Sequence, residues 1–273
     1  MDAFIAALFG LCSTILFLTH SIDSFYWHFA LSFLGEKITN QNHVCYQKYM
    51  CMVGYTFLHG CKVFKKIGPD APLSYKIVSL AMACTGGGII VPILLNTIPV
   101  TLAIDAYPIA IMISYFLHTY FPVLREVLEL SPIFKAVVIL FYETTRTYVV
   151  TLFTGLAAST IAPSQFSFPV VGPIVCGTIA GCGGMFLPFN RGLSPIESNG
   201  LPPPAFTAFI GATLFHLVTQ AAKSGAIDLV DAPKKAKVFV AIWFTAYSYY
   251  KTGLLPKMSS APPGKAIKVE KTE

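Results

Sequence analysis

Met82-Ala83-Cys84-Thr85-Gly86-Gly87-Gly88-Ile89-Ile90-Val91-Pro92 is an apolar run interrupted by three glycines and closed by a proline. A second run, Ala180-Gly181-Cys182-Gly183-Gly184, is followed by Pro188. In both, a glycine stands four residues before the proline: Gly88 before Pro92, and Gly184 before Pro188. Glycine lowers the barrier to unwinding, and proline removes a backbone donor and clashes one turn back. The expectation is a helix broken near mid-membrane at Gly86, Gly87, Gly88 and Pro92, and again at Gly181, Gly183, Gly184 and Pro188. Carbonyls freed at such a break must face protein or water rather than lipid, and they suit a desolvating cation. The competing reading is close helix packing, because small residues let backbones approach.

Outward from these runs, the chain reads as an all-α membrane protein. About 20 apolar residues cross a hydrocarbon core. Seven segments qualify, at 46–64, 74–97, 106–124, 133–157, 168–189, 205–222 and 236–255, with turn signals between them such as Ser131-Pro132, Pro202-Pro203-Pro204 and Ala232-Pro233. The glycine runs fall in the second span of two consecutive three-span groups, 46–124 and 133–222. Three is odd, so a tandem repeat of three spans inverts in the membrane, the pattern of inverted-repeat transport proteins. The final helix 236–255 stands outside the repeat. Residues 1–45 form an N-terminal extension with an apolar stretch, Phe4 to Leu18, read as an extra span, an interfacial segment or a signal. Residues 256–273 form a basic tail.

Composition supports this architecture. The 273 residues are 55% hydrophobic and 12% charged, with mean hydropathy +0.65. A soluble domain carries about 25% charged residues, so half of a globular surface would lack its polar groups here, and lipid contact replaces them. The net charge of +6 gathers in loops and at the C-terminus, without aromatic interleaving on a polar face, which excludes nucleic acid as a partner. Of the 19 Lys and Arg, twelve lie in the connections after spans one, three, five and seven and six on the other side. The positive-inside rule then puts the C-terminus in the cytosol.

Charged groups within spans are functional candidates because their insertion is costly. Glu143 and Arg146 lie three apart in span four and share a face, so they can pair. Lys135 falls on the same face eleven residues earlier. Arg146 is therefore read either as half of a structural pair or as a cation facing a pore or a lipid phosphate. Asp105, at the edge of span three, is a solvated loop carboxylate or an acidic group at a cation entrance. His118 and His216 occupy equivalent positions in the repeat. The seven cysteines include no CxxC pair and no Cys/His spacing for zinc, so no metal is expected. GxSxG, HExxH and P-loop motifs are absent, and the chain is not read as an enzyme.

In order and spacing, these features resemble the trimeric intracellular cation (TRIC) channel family over residues 46–255. The resemblance rests on the 82–90 run leading to Pro92-Ile93-Leu94-Leu95, on Tyr120-Phe121-Pro122 and on Glu143-Thr144-Thr145-Arg146-Thr147. It rests further on Gly177 to Gly184 and on Ile210-Gly211-Ala212-Thr213-Leu214-Phe215. It implies a homotrimer with a pore in each protomer, in the membrane of the endoplasmic or sarcoplasmic reticulum. It implies potassium flux that balances charge during calcium release, and no bound cofactor beyond a phosphoinositide held by span-four Lys and Arg. Two positions depart from the family pattern, with Tyr142 and Val149 where lysines are usual. That leaves Glu143 and Arg146, with Lys135 as the substitute cation. A phosphate site with fewer cations binds more weakly. The alternatives are a secondary transporter of inverted-repeat type and a lipid-binding membrane protein that does not conduct.

Overall fold

In the computed structural model, the described residues are 41–68, 70–163, 165–186, 194–197, 200–227 and 230–254. The Phe4–Leu18 stretch, Pro188 and the basic tail lie outside them. Eight helices of eight or more residues make up the described fold: α1 (Gln41–Phe64), α2 (Leu73–Leu94), α3 (Ala106–Tyr120), α4 (Val123–Leu130), α5 (Pro132–Thr160), α6 (Val171–Cys182), α7 (Pro203–Lys223) and α8 (Ala232–Thr252). Single turns at Val100–Ala103 and Ser194–Glu197 and a 3-10 turn at Gly183–Phe186 complete it, with no strand among the described residues.

Seven of these helices stand where the seven spans are expected, with shifted ends that prolines explain. Pro132, Pro203 and Pro233 do not separate helices but sit in the first turns of α5, α7 and α8. A first-turn residue needs no N–H partner, and the fixed proline φ already suits the helix. At the start of α5, the Ser131 hydroxyl also accepts a hydrogen bond from the Phe134 N–H at 3.3 Å. Ser131→Ala should therefore lower stability by about 1 kcal/mol, read as a small drop in the thermal midpoint in detergent. The expected span 106–124 is not one helix. It ends at Tyr120 and restarts at Val123 after a 93° bend, because Pro122 disfavours helical backbone at Phe121.

By length and composition, α2, α5 and α7 are each sufficient to cross a membrane. With fifteen residues, α3 is about 22 Å long, shorter than the ~30 Å hydrocarbon core. Helices α1 and α8 fall short on apolarity, α8 carrying Lys234, Lys235, Lys237 and Lys251.

The packing is two-fold in pattern. Helices α1, α2 and α3 pack on one another, and so do α5, α6 and α7. The halves meet through equivalent partners, α1 on α5 and α2 on α6 and its 3-10 turn. Such like-on-like pairing is what a pseudo-two-fold axis between inverted halves produces. One core crosses the seam, joining Val91 of α2 and Leu95 just after it to Phe153 and Ala157 of α5 and to Cys176 and Ala180 of α6. Helix α8 lies outside this pairing, with Ala236, Val240 and Phe244 packed on α5 and α7.

Candidate functional site

The two glycine runs meet in space. A β-carbon built on Gly86 would lie 2.5 Å from the Gly184 backbone, and one on Gly87 2.3 Å from the Ala180 carbonyl oxygen. On the facing side, in the 3-10 turn that follows α6, Gly183 would strike Gly87 Cα at 2.4 Å and Gly184 the Ala83 carbonyl oxygen at 2.5 Å. Helices α2 and α6 thus touch backbone to backbone, and only hydrogen fits between them. The structure corrects the expected break in α2, which is helical without interruption from Leu73 to Leu94 with Pro92 inside it. Pro92 removes one hydrogen bond, that to the Gly88 carbonyl, without ending the helix, and the helical form of Gly86 and Gly87 is held by the opposing backbone. Gly88 differs from its neighbours: a β-carbon there would meet only Thr101 Cγ2, at 3.4 Å. Its carbonyl is also denied the donor that residue 92 would supply, since proline has no N–H.

The second run does change conformation. Helix α6 ends at Cys182 and passes into the 3-10 turn at Gly183. The last carbonyls of an α-helix lack α-helical partners and carry its negative dipole end. That end is served by a cation, and the cation is the chain's own Arg146. Its Nε donates to the Gly181 carbonyl at 3.0 Å, and its Nη1 to Glu143 Oε2 at 3.0 Å. Its Nη2 donates to Thr207 Oγ1 at 2.7 Å and to the Pro204 carbonyl. The guanidinium carbon lies 4.4 Å from the centre of the Phe244 ring. The second carboxylate oxygen of Glu143 accepts from Ser248 Oγ. Arg146 is 4% exposed and Glu143 2%.

The expected Glu143–Arg146 pair is therefore formed, and it ties α5 to α6, α7 and α8 at once. Of the two readings of Arg146, the structural pair is the one formed, with the side chain turned into protein acceptors. Lys135 is not part of the site. Eleven residues along one helix place it about 16 Å away, and it is half-buried near the start of α5.

Tyr142 packs flat on Tyr55 of α1, with ring centres 5.1 Å apart, and lies under Lys62 Nζ at 5.3 Å. His59 stands 5.3 Å from Tyr142, and its Nε2 is buried with no partner among the described residues. Tyr55 donates to the Cys84 carbonyl at 3.1 Å. Val149 packs against the core that crosses the seam. Arg146 is engaged with protein acceptors, and aromatic and aliphatic side chains fill the two positions where the resemblance has lysines. His118 and His216 are structural in different ways. His118 Nε2 bonds the Phe57 carbonyl at 2.9 Å within one half, and His216 Nε2 the Pro169 carbonyl at 2.7 Å before α6. Asp105 is exposed just before α3.

Sequence reasoning did not find the partners of Arg146. The Gly181 and Pro204 acceptors are backbone atoms, which carry no residue signature. Ser248, Thr207 and Phe244 lie 61 to 105 residues from the groups they meet or in a separate helix.

No family model and no curated protein matches the chain at the level of sequence. Solved structures do match. A trimeric intracellular cation channel from C. elegans with bound Ca2+ is 18% identical, with a TM-score of 0.60 over 76% of this chain and 91% of that one. The chain has the TRIC channel fold. The same fold appears in a TRIC counter-ion channel of calcium release, 17% identical, with a TM-score of 0.57 over 72% of this chain and 89% of that one. A third TRIC cation channel is 20% identical over 79% of this chain and 97% of that one, at a TM-score of 0.53. Nearly the whole length of these TRIC structures is thus represented here.

Proposed function

We propose that the chain is a cation channel of an intracellular membrane, passing potassium as the counter-ion to calcium release in the endoplasmic or sarcoplasmic reticulum, and assembled as a homotrimer. The observation that carries the reading is the fold, with two glycine runs facing each other at the crossing of α2 and α6. In that reading, conduction requires the crossing to loosen. Parting α2 from α6 would turn the carbonyls of Ala83, Ile179 and Ala180, which now abut glycine, toward a passing ion. Carbonyl oxygens can replace the water an ion sheds. The Gly88 carbonyl, without a proline N–H to bond, is a further oxygen beside that path.

Arg146 has a positioning role in this scheme, holding α6 against α5, α7 and α8. A phosphoinositide at Arg146 would have to displace four hydrogen bonds to protein, so conduction is expected not to depend on that lipid. Recording the purified protein in planar bilayers tests the reading. Discrete potassium currents, unchanged by added phosphoinositide, are the expected result. Coupled solute uptake without current would make the chain a transporter, and the absence of both would overturn conduction.

A further inference from the structure

We propose that α4 is an interfacial anchor, lying in the headgroup boundary of an anionic leaflet. Three observations converge on it. The 93° bend after Tyr120 turns α4 across the direction of α3, so α4 does not prolong α3 but runs nearly perpendicular to it, as a helix lying along a bilayer boundary would. Val123, Val127 and Leu130 are 55%, 38% and 81% exposed, and their spacing of four and three places them on one helix face. Leu128 is buried and Leu124 half-buried toward α1 and α5, while Arg125, Glu126 and Glu129 take the remaining arc. The helix therefore has one apolar side against protein, a second apolar side uncovered, and a charged side between them, the arrangement of a helix floating at a lipid boundary.

The uncovered side is continuous with lipid-facing surface. Phe116, Tyr120 and Phe121 at the end of α3 and Ile133 at the start of α5 are all exposed. Tyrosine at such a depth is an interfacial residue. Charge favours an anionic leaflet. Around this corner Lys62, Lys65, Lys66, Arg125 and Lys135 outnumber Asp70, Glu126 and Glu129. The helix is also tied to its neighbours by polar contacts. Lys65 pairs with Glu129, and Arg125 Nη1 donates to the His118 carbonyl at 3.2 Å while its guanidinium lies 5.8 Å from the Phe64 ring centre. Exposed pairs of this kind contribute little to stability; the roll of α4 about its axis is set by Leu128, buried against α1 and α5.

The inference rests on the chain spanning a membrane, not on its conducting. The test uses the full chain in vesicles of phosphatidylcholine with a quarter phosphatidylglycerol, carrying V127W or, separately, L130W. Fluorescence above that of the parent, which contains Trp27 and Trp243, reports the new residue. Because the apolar face of such a helix sits about 5–10 Å into the headgroup boundary, lipids brominated near the headgroup should remove much of this added fluorescence, and lipids brominated near the chain end should remove much less. Quenching by neither lipid, as for a face in water or covered by another protein, would overturn the proposal. So would stronger quenching by the deep label. Current measured on the same vesicles is a separate readout. A conducting protein without shallow quenching sinks the anchor alone, and shallow quenching without current sinks the channel alone.

Discussion

Arg146→Met is expected to destabilise the folded protein by about 3–5 kcal/mol, the range seen when one member of a buried ion pair is removed. The change strands Glu143, which is 2% exposed and would keep only the bond from Ser248. It also leaves the Gly181 carbonyl and the Thr207 hydroxyl without their donor. Thermal unfolding in detergent, followed by tryptophan fluorescence, would show the loss as a large drop in midpoint. The paired variant Arg146→Met with Glu143→Gln should recover much of it, since the stranded charge is then gone. A midpoint as low in the double variant as in the single one would mean that the guanidinium's other acceptors, not the ion pair, dominate. An unchanged midpoint in the single variant would remove Arg146 from the framework.

The second large effect is expected at the helix crossing. Gly87→Ala places a methyl group 2.3 Å from the Ala180 carbonyl oxygen, and backbone cannot move aside as a side chain can. Overpacking of this kind costs about 1–3 kcal/mol, sometimes more, and here it also forces α2 and α6 apart. Gly88→Ala, one residue on, meets only the Thr101 methyl at an ordinary contact distance of 3.4 Å and should be neutral or gain up to ~1 kcal/mol from helix propensity. Thermal midpoints of the two variants decide the matter, and equal midpoints would refute the packing account. Gly87 and Gly183 face each other, so the double alanine variant should cost less than the sum of the singles, as groups sharing one gap do. If the crossing is also the gate, Gly87→Leu abolishes potassium current.

These two sites show what the sequence made legible. The positions of the glycine runs, their equivalence in two three-helix groups and the Glu143–Arg146 pair follow from spacing alone. The role of the glycines did not. A Gly-Gly-Gly-x3-Pro run is equally compatible with an unwound helix and with a close crossing, and the choice depends on which backbone lies opposite. Helix α6 changes conformation at Gly183 and α2 does not at Gly86, although both runs carry the same chemistry. The corner at Phe121-Pro122 is legible as a proline but falls inside the expected span 106–124, because the apolar residues of α4 extend the hydropathy of α3. The acceptors around Arg146 are set by tertiary packing and leave no local mark.

The Arg146 tie also has a bearing on how the chain is made. Thr207 lies 61 residues after Arg146, and at synthesis rates of about 5–20 residues per second it emerges roughly 3–12 seconds later. Phe244 and Ser248 emerge later still. Throughout that interval α5 must reside in the insertion machinery or the bilayer with neither α7 nor α8 yet in existence. Glu143, one turn away on the same helix, gives Arg146 a counter-charge from the moment both leave the ribosome. The ion pair thus allows the mid-helix charges of α5 to be delivered as a neutral pair, and the later helices complete a tie whose core is already in place.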